Sequence, residues 1–473
     1  MRTLLVNPPP IEGERFIREG RCMQSVNSWA AIWPPLTLGI LASLARARGD
    51  VDLFDGNVED GYDLDRTVER AVAFEPDVIV VNTSFPSIEG DAACAAALKA
   101  ACPEATIVGF GVFFTLLDQK ALEACPAFDV GISGEPERTF DEFLDRLARG
   151  EDPEGLAGLM TRKGGGVVSG PTRAFVEDLD TLPFAARDLF RNEGYTLPHN
   201  GRPFTLVNVS RGCPYPCIYC IAPVYYGPRI RRHSLDYVLR EIEHCQREHG
   251  LDQFLFWEEI FTLDREFGAA LCDAIVERGW KISWATTTRA DRVDLEILKK
   301  MKAAGCDLLG LGIESGVQEI LDAAKKRETV ADLEQAVVLC RHVGLRTMGH
   351  FIFGLPGETE ETVRRTIDFG LRLGLDYMQC YAAVPYPKTE LGKLARASGW
   401  LRSDRWMDFD FGGRSIMDTG SLPPEKVDAA REELFRRFYL RPGTMLRQAG
   451  LLARHPRQVV QALSFLRWMR TKA

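Results

Sequence analysis

Two stretches of this chain alternate short apolar runs with segments of helical period, and that alternation leaves little choice of fold. In the first, residues 4–7, 51–54, 78–82, 106–109 and 130–132 have strand length, and residues 36–48, 64–74, 89–101 and 139–149 carry the helical pattern. Strands joined one at a time by helices run parallel, because each helix returns the chain to the same end of the sheet. Residues 1–150 are therefore expected to form a doubly wound parallel sheet of the α/β class. The second stretch has strands at 204–209, 253–257, 282–286, 308–313, 348–353 and 377–384. Leu235, Val238, Leu239 and Ile242 recur at i, i+3, i+4 and i+7 behind a Ser234 cap, and Leu295, Leu298 and Met301 mark another helix. Six strand–helix units over residues 201–400 cannot easily close an eight-stranded barrel. Between the two, residues 151–200 carry Gly164, Gly165, Gly166, Gly170 and Pro171 at turns and read as a linker packed as a strap. Residues 401–473 read as a mostly helical extension.

Directly after the first barrel strand come Cys213, Cys217 and Cys220, three thiols within eight residues. Pro214 and Pro216 keep this segment out of a helix, so it is a loop whose side chains converge. Three thiolates are one ligand short of a structural zinc site, and no second Cys pair at finger spacing follows. A four-iron four-sulfur cluster with one open iron is the better reading, with a zinc site or three adjacent buried thiols as alternatives. The remaining strand ends carry polar groups at matching places: Trp257, Glu258 and Glu259; Thr288 and Arg289; Glu314 and Ser315; Gly354.

The C-x3-C-x2-C pattern, followed by these strand ends in order, resembles the radical S-adenosylmethionine (radical SAM) superfamily. The resemblance implies an open (β/α)6 partial TIM barrel binding a 4Fe-4S cluster through Cys213, Cys217 and Cys220. It further implies S-adenosylmethionine bound by Tyr219 beside adenine, Glu258 and Glu259 at the ammonium, Arg289 at the carboxylate, Glu314 and Ser315 at the ribose, and Gly354. Ahead of this barrel, residues 1–150 resemble the Rossmann-like cobalamin-binding domain common in the superfamily. That resemblance implies cobalamin at the carboxyl ends of the strands, at Pro9, Ser84, Gly109, Gly111, Gly134 and Glu135. Read without it, those glycines only make tight turns. No histidine precedes His199, so this domain offers cobalt no histidine ligand.

Taken together, the resemblance implies a class B-like radical SAM methyltransferase. A 5′-deoxyadenosyl radical takes hydrogen from an unactivated carbon, and methylcobalamin delivers the methyl group. An oxidative cyclase or rearrangement enzyme with the same domains is the alternative within enzymes. A corrinoid-binding sensor or carrier with a structural cluster is the alternative outside them. The expected partners are a small-molecule or lipid substrate and an electron donor such as ferredoxin or flavodoxin.

Composition excludes several other classes. Over 473 residues, 45% hydrophobic and 26% charged content is that of an ordinary globular protein. The net charge of -9 disfavours nucleic acid as a partner. Twelve cysteines are too dilute for a disulfide scaffold, and the N-terminus enters a strand at once, so a reducing cytoplasm is expected. Cys94, Cys102, Cys245, Cys272, Cys306, Cys340 and Cys380 read as small buried hydrophobes. The segment from Arg18 to Gln24 reads as a loop bringing charges and Cys22 to the cofactor face, or as plain solvated loop. His350 lies within the fifth barrel strand as a core or a catalytic residue. Residues 444–473 combine Arg447, Arg454, Arg457, Arg467, Arg470 and Lys472 with an apolar helical face. They fit either peripheral contact with an anionic membrane or packing on the acidic body of the chain.

Overall fold

The computed structural model describes residues 1–26, 31–59, 63–197 and 200–445. Its N-terminal part runs β1 (Thr3–Asn7), β2 (Phe16–Glu19), β3 (Cys22–Ser25), α1 (Leu36–Ala45), β4 (Val51–Asp55), α2 (Leu64–Phe74), β5 (Val78–Thr83) and α3 (Ile88–Ala101). It continues through β6 (Thr106–Gly111), α4 (Val112–Leu117), α5 (Gln119–Ala124), β7 (Val130–Ile132), α6 (Pro136–Ala148), β8 (Leu159–Lys163) and β9 (Gly166–Ser169). The sheet order is β4-β1-β5-β6-β7-β8-β9, parallel through β7. Successive residues of the parallel strands feed opposite layers, as a sheet covered on both faces requires. Leu4, Val6, Ile79 and Val81 enter one core, while Leu5, Val78 and Val80 enter the other.

Residues 151–200 begin with secondary structure of their own. β8 and β9 form an antiparallel hairpin that extends the N-terminal sheet. Only the part after it is a strap, pinned by buried Ala185, Ala186, Phe190 and Tyr195. The segment after β1 is also no open loop. β2 and β3 pair as a hairpin with Glu19 opposite Cys22, so Gly20 and Arg21 make the turn.

The second part contains β10 (Thr205–Asn208), β11 (Ser210–Arg211), α7 (Ala222–Tyr225), β12 (Arg231–Arg232), α8 (Leu235–His249), β13 (Gln253–Trp257), α9 (Arg265–Glu277), β14 (Ser283–Thr288) and α10 (Leu295–Ala303). Then follow β15 (Cys306–Glu314), α11 (Gln318–Ala323), α12 (Val330–His342), β16 (Arg346–Phe353), α13 (Glu360–Leu373), β17 (Tyr377–Ala382), α14 (Glu390–Ala397) and α15 (Pro424–Tyr439). Six strands, β10-β13-β14-β15-β16-β17, pair in parallel and in chain order, which is the open six-unit barrel. Ser234 caps α8 by accepting from Tyr237 N at 3.1 Å. Leu206 and Trp257 join an apolar core of the N-terminal part, so the two parts share packing as well as chain. Beyond β17 the described chain is helical in α14 and α15, while residues 446–473, nearly all of the basic tail, lie outside the described residues. Among the described residues no helix is long and apolar enough to cross a membrane.

Candidate active site

The cysteine loop is built by backbone more than by side chains. Gly212 has φ +96, and a Cβ there would meet the Arg229 carbonyl oxygen at 2.1 Å, so the approach into Cys213 requires glycine. Cys213 N donates to Gly227 O at 3.1 Å, and Cys220 N to Cys217 O at 3.1 Å. Ile218 ties the loop's outer side to the barrel by donating to Ala324 O and accepting from Leu391 N. Cys213 is buried, while Cys217 and Cys220 are half-buried. Burial pushes the Cys213 thiol up to about 11 and raises Cys217 and Cys220 as well, a shift that a bound metal cation would reverse. Among the described residues no three His, Cys, Asp or Glu side chains form a pocket for a single ion. A cube binds each thiolate through a different corner, so this donor set fits a cluster better than zinc.

Around the rim the expected residues separate. Tyr219 is half-buried and hydrogen-bonded to Glu314, which has φ +56 and accepts from Lys326 Nζ at 2.9 Å. Gly312 makes that approach possible, since a Cβ there would lie 2.6 Å from Lys326 Nζ. Ser315 faces the other way, bonding Thr366 Oγ1 at 3.0 Å on α13. Glu258 accepts from Ser210 Oγ at 3.1 Å and leaves Oε1 buried without a partner, and burial raises it to about 8. Glu259 pairs with Arg21 from the turn of the β2–β3 hairpin. Gly354 has φ +89, and its N–H donates to Glu358.

Arg289 is engaged elsewhere. Its guanidinium donates to Asp291, to Lys326 O at 2.8 Å and to Arg327 O at 2.9 Å, and it lies 3.7 Å over the Tyr215 ring. With these partners Arg289 braces the 325–328 loop, and a ligand carboxylate would have to displace one of them. Lys326 and Tyr215 escaped sequence reading. Lys326 sits in a run of charged residues, 325–328, where nothing in the sequence distinguishes the two that are buried, Lys326 and Glu328.

Inside the barrel, register places Gly312, His350 and Gln379 side by side. Burial lowers His350 to about 4, so it is neutral, and its ring lies nearly parallel to Tyr381 at 6.0 Å.

On the N-terminal side, the carboxyl ends of β1 and β5 form the crevice where strand order reverses. Arg18 from the hairpin enters it, pairing with Asp91 at 2.9 Å and donating to Ser87 Oγ and Pro8 O. Four of the six expected cobalamin residues also make contacts within the protein. Ser84 bonds Ser87 and Asp91, Pro9 packs under Gly56, and Gly109 lets Phe114 and Phe128 close on the sheet. Glu135 joins Arg211 and Arg231 across the domain boundary. Gly111 and Gly134 remain at the edge, and Gly134 has open space where a Cβ would stand. This edge carries no imidazole, so it fits a corrinoid only without histidine beneath cobalt.

A model of the radical SAM superfamily matches residues 207–370, and a model of the B12 binding domain matches residues 26–144. A protein of Pyrococcus horikoshii named uncharacterized methyltransferase PH0819 is 30% identical over 416 residues, 88% of this chain and 89% of that one. The chain belongs to the radical SAM superfamily, in its B12-binding branch. The anaerobic magnesium-protoporphyrin IX monomethyl ester cyclase of Cereibacter sphaeroides is 27% identical over 87% of this chain and 68% of its own. The radical S-adenosylmethionine methyltransferase TsrM of Kitasatospora setae, solved with tryptophan and an S-adenosylmethionine analogue, has the same fold. It superposes with a TM-score of 0.73 at 19% identity, covering 93% of this chain and 90% of that one. The radical SAM enzyme described here therefore takes a 4Fe-4S cluster, S-adenosylmethionine and cobalamin as cofactors, and draws electrons from a reductant.

Proposed function

We propose that the enzyme transfers a methyl group to an unactivated carbon of a small-molecule or lipid substrate. The observation that carries this is the reach of the β2–β3 hairpin of the N-terminal part into the barrel rim. Arg21 at the hairpin turn meets Glu259 and faces Cys220, so corrinoid edge and cluster loop belong to one site. Bound there, the cluster and S-adenosylmethionine supply a hydrogen-abstracting radical, and cobalamin supplies the methyl group. The chain's own residues bind and shield. Cys213, Cys217 and Cys220 hold iron, Tyr219 and Glu314 are assigned to the nucleoside, and Glu259 to the ammonium. Gly111 and Gly134 are assigned to the corrinoid. Glu258, neutral at pH 7, offers a proton for hydrogen bonding at the rim. Trp33, packed edge-on against Trp257 at 5.1 Å, and the edge-to-face pair Tyr225 and Tyr226 keep water from the domain seam.

The test uses anaerobically reconstituted protein with cobalamin, reductant and methyl-deuterated S-adenosylmethionine. Formation of 5′-deoxyadenosine and deuterated methylcobalamin is expected, and a protein that forms neither is not this enzyme. The relatives named as cyclases support a second reading, oxidative cyclisation without net methylation. Deuterium in the product separates the two. A sensor or carrier would make no 5′-deoxyadenosine. Ferredoxin or flavodoxin is the proposed electron donor. Peripheral membrane contact through residues 444–473 is proposed on their basic and apolar composition, and equal flotation with anionic vesicles before and after their removal would refute it.

A further inference from the structure

The amino-acid end of S-adenosylmethionine is a zwitterion, with an ammonium and a carboxylate on one carbon. A protein matches it best with a carboxylate and a guanidinium in contact, presented in the opposite order. Glu259 and Arg21 are such a pair, beside Cys220. Arg21 touches Glu259 through Nε, and its Nη1 and Nη2 take no protein acceptor among the described residues. A two-pronged donor edge is therefore open. Arg289, which sequence assigns to the carboxylate, is bound to protein acceptors instead.

The position of Arg21 is fixed from both sides. Gly20 turns the hairpin at φ +51, and any Cβ there would meet Tyr226 Oη at 2.2 Å. The guanidinium rests 5.2 Å over the Trp257 ring. At the hairpin base, Glu19 accepts from Thr37 N and Oγ1, while Arg18 is buried against Asp91.

We propose that Arg21, from the N-terminal part of the chain, binds the carboxylate of S-adenosylmethionine on this open edge while Glu259 takes the ammonium. The nucleotide site is then completed across the domain boundary, and a barrel without its N-terminal neighbour holds the methionine end poorly. This rests on the proposed function only in requiring that S-adenosylmethionine binds.

The test compares two ligands on the reconstituted holoprotein by anaerobic equilibrium dialysis: S-adenosylmethionine and decarboxylated S-adenosylmethionine, which keeps the amine and lacks the carboxylate. Arg21→Met is expected to weaken the first by about 10- to 100-fold, the range of a charge-assisted hydrogen-bonded contact, and to leave the second within about 2-fold. Arg21→Lys, which keeps charge but not the fork, recovers part of the loss. Equal weakening of both ligands, or no weakening of the first, overturns the proposal. Glu259→Gln gives an independent arm: it weakens both ligands, and a loss confined to the carboxylate-bearing one overturns the assigned polarity. Wild-type protein that binds neither ligand refutes the proposed function itself. Wild-type protein that binds and cleaves S-adenosylmethionine, with Arg21→Met unchanged, removes this inference alone.

Discussion

Arg211 donates from Nη2 to Glu137 Oε1 at 2.6 Å, joining the cluster loop to the first turn of α6 across the domain boundary. Both side chains are almost wholly buried, and Arg211 stands two residues before Cys213. Glu135 extends the contact to Arg231, which pairs with it at 2.8 Å. Buried pairs of this kind add little net stability when intact, but breaking one strands a charge away from water.

Arg211→Met is therefore expected to destabilise the protein by about 3–5 kcal/mol, since Glu137 is left buried without its cation. Urea unfolding measures the loss. The double variant Arg211→Met with Glu137→Gln should recover a large part, because no charge is then stranded. A single-variant loss below about 1 kcal/mol would mean that water reaches the pair.

The cysteines divide sharply. Alanine at Cys213, Cys217 or Cys220 should each abolish stoichiometric iron and 5′-deoxyadenosine formation. Alanine at Cys94 or Cys340, both buried in apolar surroundings, should keep iron and cost about 1 kcal/mol of packing. Iron content and thermal unfolding read the two groups separately.

Most of the fold was legible, because a parallel sheet buried on both faces writes its strands as apolar runs. β13 begins and ends at Gln253 and Trp257, as the sequence reading has it, and the other barrel strands differ by a few residues. The β2–β3 hairpin was not legible. Its Arg18 and Glu19 are charged and yet buried, satisfied by Asp91 and Thr37 from distant chain, and no local pattern encodes such partners. The same holds for Ser315, which strand alternation turns away from Glu314 toward Thr366, and for Glu135, whose partners lie 76 and 96 residues away. β8 was masked by its glycine-rich surroundings, since the antiparallel hairpin it forms has the composition of a linker.

Acid and base act on stability through different groups. Burial raises Glu358 from its ordinary 4.5 to about 8, outweighing the two hydrogen bonds that one oxygen accepts from Gly354 N and Leu355 N; the other oxygen has no partner. Between these values the native state holds a proton that the unfolded state has lost, so this carboxyl's contribution is complete below about pH 4.5 and lost as pH rises through about 8. Glu19, raised to about 7, acts in the same direction. Glu358→Gln keeps an acceptor for the two N–H groups and should make the decline across this window shallower, by up to about 1.4 kcal/mol per pH unit. Denaturant midpoints measured across the window in both proteins check it, and parallel curves would refute it. His233 and His350, both lowered to about 4, work oppositely at the acid end, adding stability as pH rises from there toward 6.5.

Cobalt itself reports the last relationship. The carboxyl edge of the N-terminal sheet carries no histidine, since the first in the chain is His199. Of the barrel histidines, His233 stacks on Tyr237 at 3.9 Å and donates from Nδ1 to Asp180, so it is held within its own core. Cobalamin bound to this domain is therefore expected to lack an imidazole from the domain beneath cobalt. Electron paramagnetic resonance of the Co(II) form tests this directly. Uniform 15N labelling of the protein should leave the cobalt hyperfine lines unchanged. Superhyperfine splitting that changes with the label would reveal a protein nitrogen on cobalt, and would require a ligand from outside the N-terminal sheet.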